Sequence, residues 1–205
     1  MTKFFRIISA VFSPLIVPCY GLALALAVTP LALLPLGIRL GILGVCAIML
    51  FIAPVLVILV LYRVGFVTDP GLNLRKERTI PYCATMLCYL VCAYYLVRLG
   101  APLWLPGIIA GGCLAILINL IVNLRWKISG HMAGMGGLVA VTFFLTINRL
   151  AMMPMMWIVI AALLLAGLVG TARLALNRHT PMQVLCGTIN GFASVYLCAS
   201  LGAAI

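Results

Sequence analysis

Acid is the scarcest chemistry in this sequence. Asp69 and Glu77 are the only two carboxylate side chains among 205 residues, against thirteen lysines and arginines. Two acids are too few for a carboxylate-held magnesium site. Charge of either sign is sparse, at 7% of residues. A helical bundle in water needs polar outer faces, which so few charges cannot supply. Paired cysteines are missing as well. Cys19, Cys46, Cys83, Cys88, Cys92, Cys113, Cys186 and Cys198 all fall inside apolar runs, and none forms a Cys-x-x-Cys pair. A zinc site is therefore poorly supplied, and free thiols packed between helices are the expected role. Alternating barrel-type segments, internal repeats and low-complexity stretches are absent too.

What remains is overwhelmingly apolar: 66% of residues are hydrophobic, with a mean hydropathy of +1.33. This predicts an all-α, polytopic transmembrane bundle of about six to seven spans in the cell membrane. Helices are the expected form because an isolated strand cannot satisfy its backbone in lipid. Hydrophobic runs and breakers place spans near 7–29, 38–64, 80–99, 103–123, 131–147, 152–174 and 182–204. A single domain over 1–205 is expected, with the helices of 1–64 accessory and 65–205 carrying the informative motifs. The basic tip and long apolar run of "MTKFFRIISAVFSPLIVPCYGLALALAV" resemble a signal peptide. The run exceeds a signal core and contains Pro14 and Pro18, so a retained first span is preferred. Gly107 with Gly111, Gly130 with Gly134, and Gly187 with Gly191 repeat the small-xxx-small spacing that lets helices approach.

Seven spans put the linkers 65–79, 124–130 and 175–181 on one face. Treating 80–99 and 103–123 as a paired excursion gives the same result. The linkers carry "NLRKERTIPY", "LRWKISGHMAG" and "ARLALNRHTPMQ". The chain's only two histidines, His131 and His179, belong to two of these clusters. Around them stand Arg75, Lys76, Arg78, Arg125, Lys127, Arg173 and Arg178. Such polar groups are costly at membrane depth, and polar side chains at a span end can simply snorkel. Arginine forks also bind phosphate oxygens in bidentate fashion, while lysine supplies a point charge. Ser129 and Gly130 begin a span, where a hydroxyl and free backbone N–H groups form an anion site. Two histidines beside a bound phosphate can divide nucleophile and acid between them without a metal. A bis-histidine haem is the rival use, disfavoured by the neighbouring cations. With no soluble basic domain, no nucleic-acid partner is expected.

These residues resemble the type 2 phosphatidic acid phosphatase family, the lipid phosphate phosphatase and haloperoxidase superfamily. Its pattern is Lys-x6-Arg-Pro, then Pro-Ser-Gly-His, then Ser-Arg-x5-His-x3-Asp. The resemblance runs from about residue 70 to the end. Arg173 and His179 hold the third motif at the right spacing, with Ala172 for Ser and Gln183 for Asp. Ser129-Gly130-His131 keeps the second motif, with Ile128 for Pro. The first is degenerate: Pro81 is present, Ile80 replaces Arg, Asn73 replaces Lys, and Lys76 and Arg78 are the nearest cations.

The resemblance implies that His179 attacks phosphorus and forms a phosphohistidine, and that His131 protonates the leaving oxygen. Lys76, Arg78, Arg173, Ser129 and Gly130 would clamp the phosphoryl group. It implies a hydrolase of lipid phosphates or diphosphates, with membrane lipids around it and no metal or cofactor. Gln183 can accept a hydrogen bond from His179 but supplies no charge. This keeps two alternatives open: an impaired relative that binds or transports phospholipid, or a lipid phosphotransferase. Glu77 is the only acid of the first cluster that could compensate. The positive-inside count does not fix the orientation. The cluster face with the N-terminus carries ten cations against three, but three against three once the seven cluster cations are set aside.

Overall fold

The computed structural model describes residues 2–72 and 74–205; Asn73, read above as standing at the family's lysine position, lies outside them. The chain is helical throughout its long apolar runs. Among the described residues, six helical segments are long and apolar enough to cross a membrane: Leu36–Arg63, Arg75–Arg98, Trp104–Asn123, Gly130–Ile147, Met156–Ala175 and Pro181–Ala204. Large apolar side chains such as Leu87, Trp157 and Leu164 are exposed on their outer faces, as expected for helices whose solvent is lipid. The chain is a membrane-embedded bundle.

The expected first span, 7–29, divides in two. α1 (Thr2–Val11) and α2 (Val17–Val28) flank a non-helical step at Pro14. Proline removes a backbone donor and clashes with the preceding turn, so the run cannot continue as one helix. α2 has 12 residues, short of the ~20 that cross a bilayer. α1 instead packs against α8, and α2 packs against α7. The next span combines α3 (Leu36–Ala47) and α4 (Ala53–Arg63), joined by a wider turn at Ile48–Ile52 just before Pro54. There follow α5 (Thr79–Arg98), α6 (Trp104–Asn123), α7 (Gly130–Ile147), α8 (Met156–Ala175) and α9 (Pro181–Ala204).

α9 is the centre of the packing, pressed between α6 and α7. Glycine makes this contact possible. A Cβ on Gly111 would lie 2.5 Å from the Val195 Cα, and one on Gly191 would overlap the Ala133 carbonyl. Two of the three small-residue pairs are therefore internal packing surfaces. In the third, Gly134 faces Pro14 and Gly130 faces the Tyr82 hydroxyl. Leu105, Ile109, Phe144 and Leu145 are almost fully buried in the core so formed.

The three basic linkers meet at one end, as their parity requires. Arg75 Nη1 donates to Asn123 O at 3.0 Å, and Asn123 Nδ2 returns a bond to Arg75 O at 2.9 Å. The backbone N–H of Ser129 donates to Gln183 O at 3.3 Å. The first linker is thereby tied to the second, and the second to the third.

Candidate functional site

The site is built on the first turns of α7 and α9 and the last turn of α8. Ser129 caps α7. Its Oγ accepts from Met132 N at 3.4 Å, and its carbonyl accepts from Ala133 N at 3.0 Å. A serine at this position satisfies a donor that the helix leaves unpaired. The residue is fully buried, so its hydroxyl serves the helix rather than an open surface. Gly130 and His131, the next two residues, present the N-terminal backbone of α7 to a cavity of about 420 Å³. Arg173, on the last turn of α8, lines the same cavity, as do Arg6, Ser9, Tyr82 and Arg178.

His179 sits between α8 and α9 and is 9% exposed. Its Nδ1 lies 3.0 Å from Gln183 Oε1. An amide oxygen only accepts, so Nδ1 carries the proton and Nε2 keeps its lone pair. The same Oε1 accepts from Thr180 N at 3.3 Å, completing a capping box at the start of α9. Gln183 thus orients the ring and starts the helix with one atom. Burial, then the charges of Arg173, Lys127 and Arg78, pull the His179 pKa down to about 4, against the upward pull of the Gln183 bond. His179 does not line the cavity that holds His131 and Arg173, although the fields of both histidines overlap.

Arg78 is 5% exposed. Its Nε donates to Leu72 O at 2.8 Å and its Nη1 to Ile128 O at 3.2 Å, beside Ser129. Arg173 is 8% exposed; its Nη1 donates to Ser9 Oγ at 3.2 Å, and its buried Nε has no partner among the described residues. The bonds these two arginines make among the described residues go to carbonyl and hydroxyl oxygens, none to a carboxylate. Glu77 does not approach them as a substitute acid, because its carboxylate accepts from Thr68 N at 3.1 Å and Thr68 Oγ1 at 2.8 Å.

The structure gathers Gly130, His131 and Arg173 around one cavity; Ser129 and Arg78 stand behind its lining, and His179, held by Gln183, stands outside it within the electrostatic reach of Arg173, Arg78 and His131. It does not bring in Lys76, which is exposed on the outer side of the Arg75–Arg78 turn. The lysine in the field of the site is Lys127. It is half-buried, and its pKa is lowered by burial and by Arg78, Arg173 and Arg178. Its place two residues before Ser129-Gly130-His131 was the available signal.

Sequence reading missed Ser9. Its carbonyl accepts from His131 Nε2 at 3.0 Å, and its hydroxyl accepts from Arg173 Nη1. α1 therefore closes one side of the site and fixes the proton of His131 on Nε2. Nothing local marks Ser9, because both partners lie more than a hundred residues away.

The arrangement offers two buried guanidinium groups, a nearby lysine, a helix N-terminus and two oriented imidazoles. Anions are what such a set holds, because buried cations without carboxylates demand compensation. Residues 123–204 match the PAP2 superfamily. This segment begins at the end of α6 and contains every site residue named above except Arg6, Ser9, Lys76, Arg78 and Tyr82. No curated protein and no solved structure matches the chain. The likeness to the PAP2 superfamily covers residues 123–204, the segment that holds both histidines and Arg173.

Proposed function

We propose that the protein is an integral lipid phosphatase of the cell membrane, hydrolysing a lipid phosphate or diphosphate where the polar face of the bundle meets the membrane surface. The match of residues 123–204 to the PAP2 superfamily supports a phosphatase-type hydrolase acting on phosphate esters. The observation that carries the finer reading is Arg173: buried, without a carboxylate, and with Nε unpartnered beside an oriented His131. A phosphoryl oxygen satisfies that donor, and a membrane-embedded site draws its substrate from lipid.

In this reading the unprotonated Nε2 of His179 attacks phosphorus. The N–P bond forms as the bond to the leaving oxygen breaks, and His131 supplies that oxygen with a proton. Water then attacks the phosphohistidine, passing a proton back to His131 as the N–P bond breaks, so that phosphate is freed and both histidines are regenerated. Arg173, Arg78, Lys127 and the N-terminus of α7 stabilise the charge on the equatorial oxygens, which is where most catalysis of phosphoryl transfer resides. For the substrate to engage, its oxygens take the unpartnered Nε of Arg173 while the Ser9 hydroxyl keeps Nη1 in place, and the leaving oxygen replaces the Ser9 carbonyl on His131. α1 then belongs to the same functional unit as residues 65–205, and the substrate enters beside it. No metal is needed for these steps.

Phosphate release from a panel of lipid phosphates in detergent or nanodiscs, for wild type beside His179→Ala, tests the reading. Release by wild type that the variant loses is expected. No release from any lipid, or release unchanged in the variant, overturns it. Gln183 specifically favours a second reading, since its cap role alone accounts for its position; saturable lipid phosphate binding without turnover would support that binder.

A further inference from the structure

α1 presents three faces. Ser9 is buried, and Ile8 and Phe12 pack inward against the core formed by α7 and α8. Phe4, Ile7 and Val11 recur at helical spacing as an apolar stripe, each about half exposed. With 3.6 residues per turn, Lys3, Arg6 and Ala10 form a third, exposed stripe, lying between the apolar one and Ser9.

A helix of 10 residues is about 15 Å long and cannot cross a bilayer. An apolar stripe flanked by cations on such a helix settles in the interface, with acyl chains under one stripe and headgroups beside the other. α1 stands at that depth, because Ser9 touches the first turn of α7 and the last turn of α8 at the polar end of the bundle. The charge of α1 is not answered locally. No carboxylate precedes Asp69 in the sequence, and the chain's two acids face thirteen cations. A layer of anionic headgroups complements this stripe, each lysine or arginine adding about fivefold to the attraction.

The helix is fastened unevenly. Its C-terminal end is pinned: Tyr20 Oη donates to Val11 O at 3.0 Å, and the rings of Phe12 and Tyr20 meet edge to face at 6.0 Å. Among the described residues, the hydrogen bonds that join α1 to the site all run through Ser9, which accepts from His131 on its carbonyl and from Arg173 on its hydroxyl. A helix pinned at one end swings at the other. The bond from His131 to Ser9 O spans 3.0 Å, so a shift of less than about 1 Å breaks it.

We propose that anionic phospholipid of the bilayer binds Lys3 and Arg6 and draws α1 into the interface, lifting the Ser9 carbonyl off His131 and readying the site for a phosphoryl ligand. The proposal goes beyond the phosphatase reading and rests on it only in taking His131 and Arg173 as the groups that ligand needs. A lipid can shift such an equilibrium by no more than its extra affinity for the drawn-out helix. The expected gain is therefore on the order of fivefold, the worth of one cation at an anionic surface.

The test measures binding of inorganic phosphate to the full-length protein in nanodiscs of phosphatidylcholine, alone or mixed equally with phosphatidylglycerol. Wild type should bind phosphate about fivefold tighter in the anionic discs, whereas the negative surface potential by itself would weaken binding. Lys3→Gln should lose most of this gain; Lys3 is chosen because Arg6 also lines the cavity. Arg63→Gln, which removes a cation from the last turn of α4, should keep it. Phe4→Trp reads α1 directly: brominated phosphatidylglycerol should quench the added indole more strongly than brominated phosphatidylcholine. Equal quenching, no tightening in wild type, a gain that survives Lys3→Gln, or one lost equally in Arg63→Gln overturns the proposal. Phosphate release from a lipid phosphate in the same discs separates the two layers. Lipid-dependent binding without release sinks the phosphatase reading alone, whereas release with phosphate binding indifferent to phosphatidylglycerol sinks the role of α1 alone.

Discussion

Residues 123–204 and the chain before them furnish the same site by opposite means. In the later region the contacts are short in sequence. His179 meets Gln183 across four residues, and Ser129 caps a helix three residues on. In the earlier region they are long. Ser9 reaches His131 across 122 residues and Arg173 across 164, and Arg78 reaches Ile128 across 50. In the proposed reading the later region holds the reacting groups, and the earlier one holds them in place. Chemistry can therefore be written in short motifs, while its scaffold is set by tertiary packing.

The largest break in this comparison is His179→Ala. If the later region holds the nucleophile, phosphate release should fall by about 10³-fold or more, in line with the loss of other catalytic nucleophiles. The fold should persist, as judged by an unchanged elution profile and thermal midpoint. Next comes Gln183→Glu, which keeps shape and capping while adding charge. A carboxylate at hydrogen-bond distance favours the imidazolium and raises the His179 pKa from about 4. In wild type the imidazole is neutral at pH above about 4, so kcat/KM should decline only near that pH. In Gln183→Glu the acid limb should move upward, and the neutral-pH rate should rise. An acid limb that does not move would separate Gln183 from the nucleophile.

In the earlier region, Arg78→Ala removes two charge-assisted bonds to Leu72 O and Ile128 O. Each is worth about 1.5–3 kcal/mol. A fall of several degrees in thermal midpoint and a raised KM are expected. Ser9→Ala removes only the hydroxyl that holds Arg173, leaving the carbonyl bond to His131. KM should rise a few-fold with kcat nearly constant, and Ser9→Thr should restore it. Lys76→Ala is the smallest: this exposed residue should cost less than about 0.5 kcal/mol and leave KM unchanged, whereas Lys127→Ala should raise it.

How much of this was legible beforehand follows the same division. Long apolar runs made the spans readable. Their parity made the convergence of the three linkers readable, since helices crossing a membrane must alternate direction. Arg173, His179, Gly130 and His131 stood at motif spacings on helix ends, where local sequence dictates geometry. The broken first span was not read as broken, although Pro14 and Pro18 stood in plain view; hydropathy alone does not say whether proline kinks or interrupts. Lys76 and Lys127 were equivalent on composition. Only the tie between Arg75 and Asn123, which turns the Arg75–Arg78 segment, leaves Lys76 outside. Ser9 carried no periodic or motif signal, because its importance comes from partners brought near by packing α1 on α8.

The most direct test of the central claim is to trap the phosphorylated protein from a lipid phosphate labelled in its phosphoryl group. Quenched wild-type protein should carry acid-labile, base-stable label at His179, and His179→Ala should carry none. Label that persists in His179→Ala, or wild-type turnover with no labelled protein at any quench time, would contradict the assignment of His179 as the nucleophile.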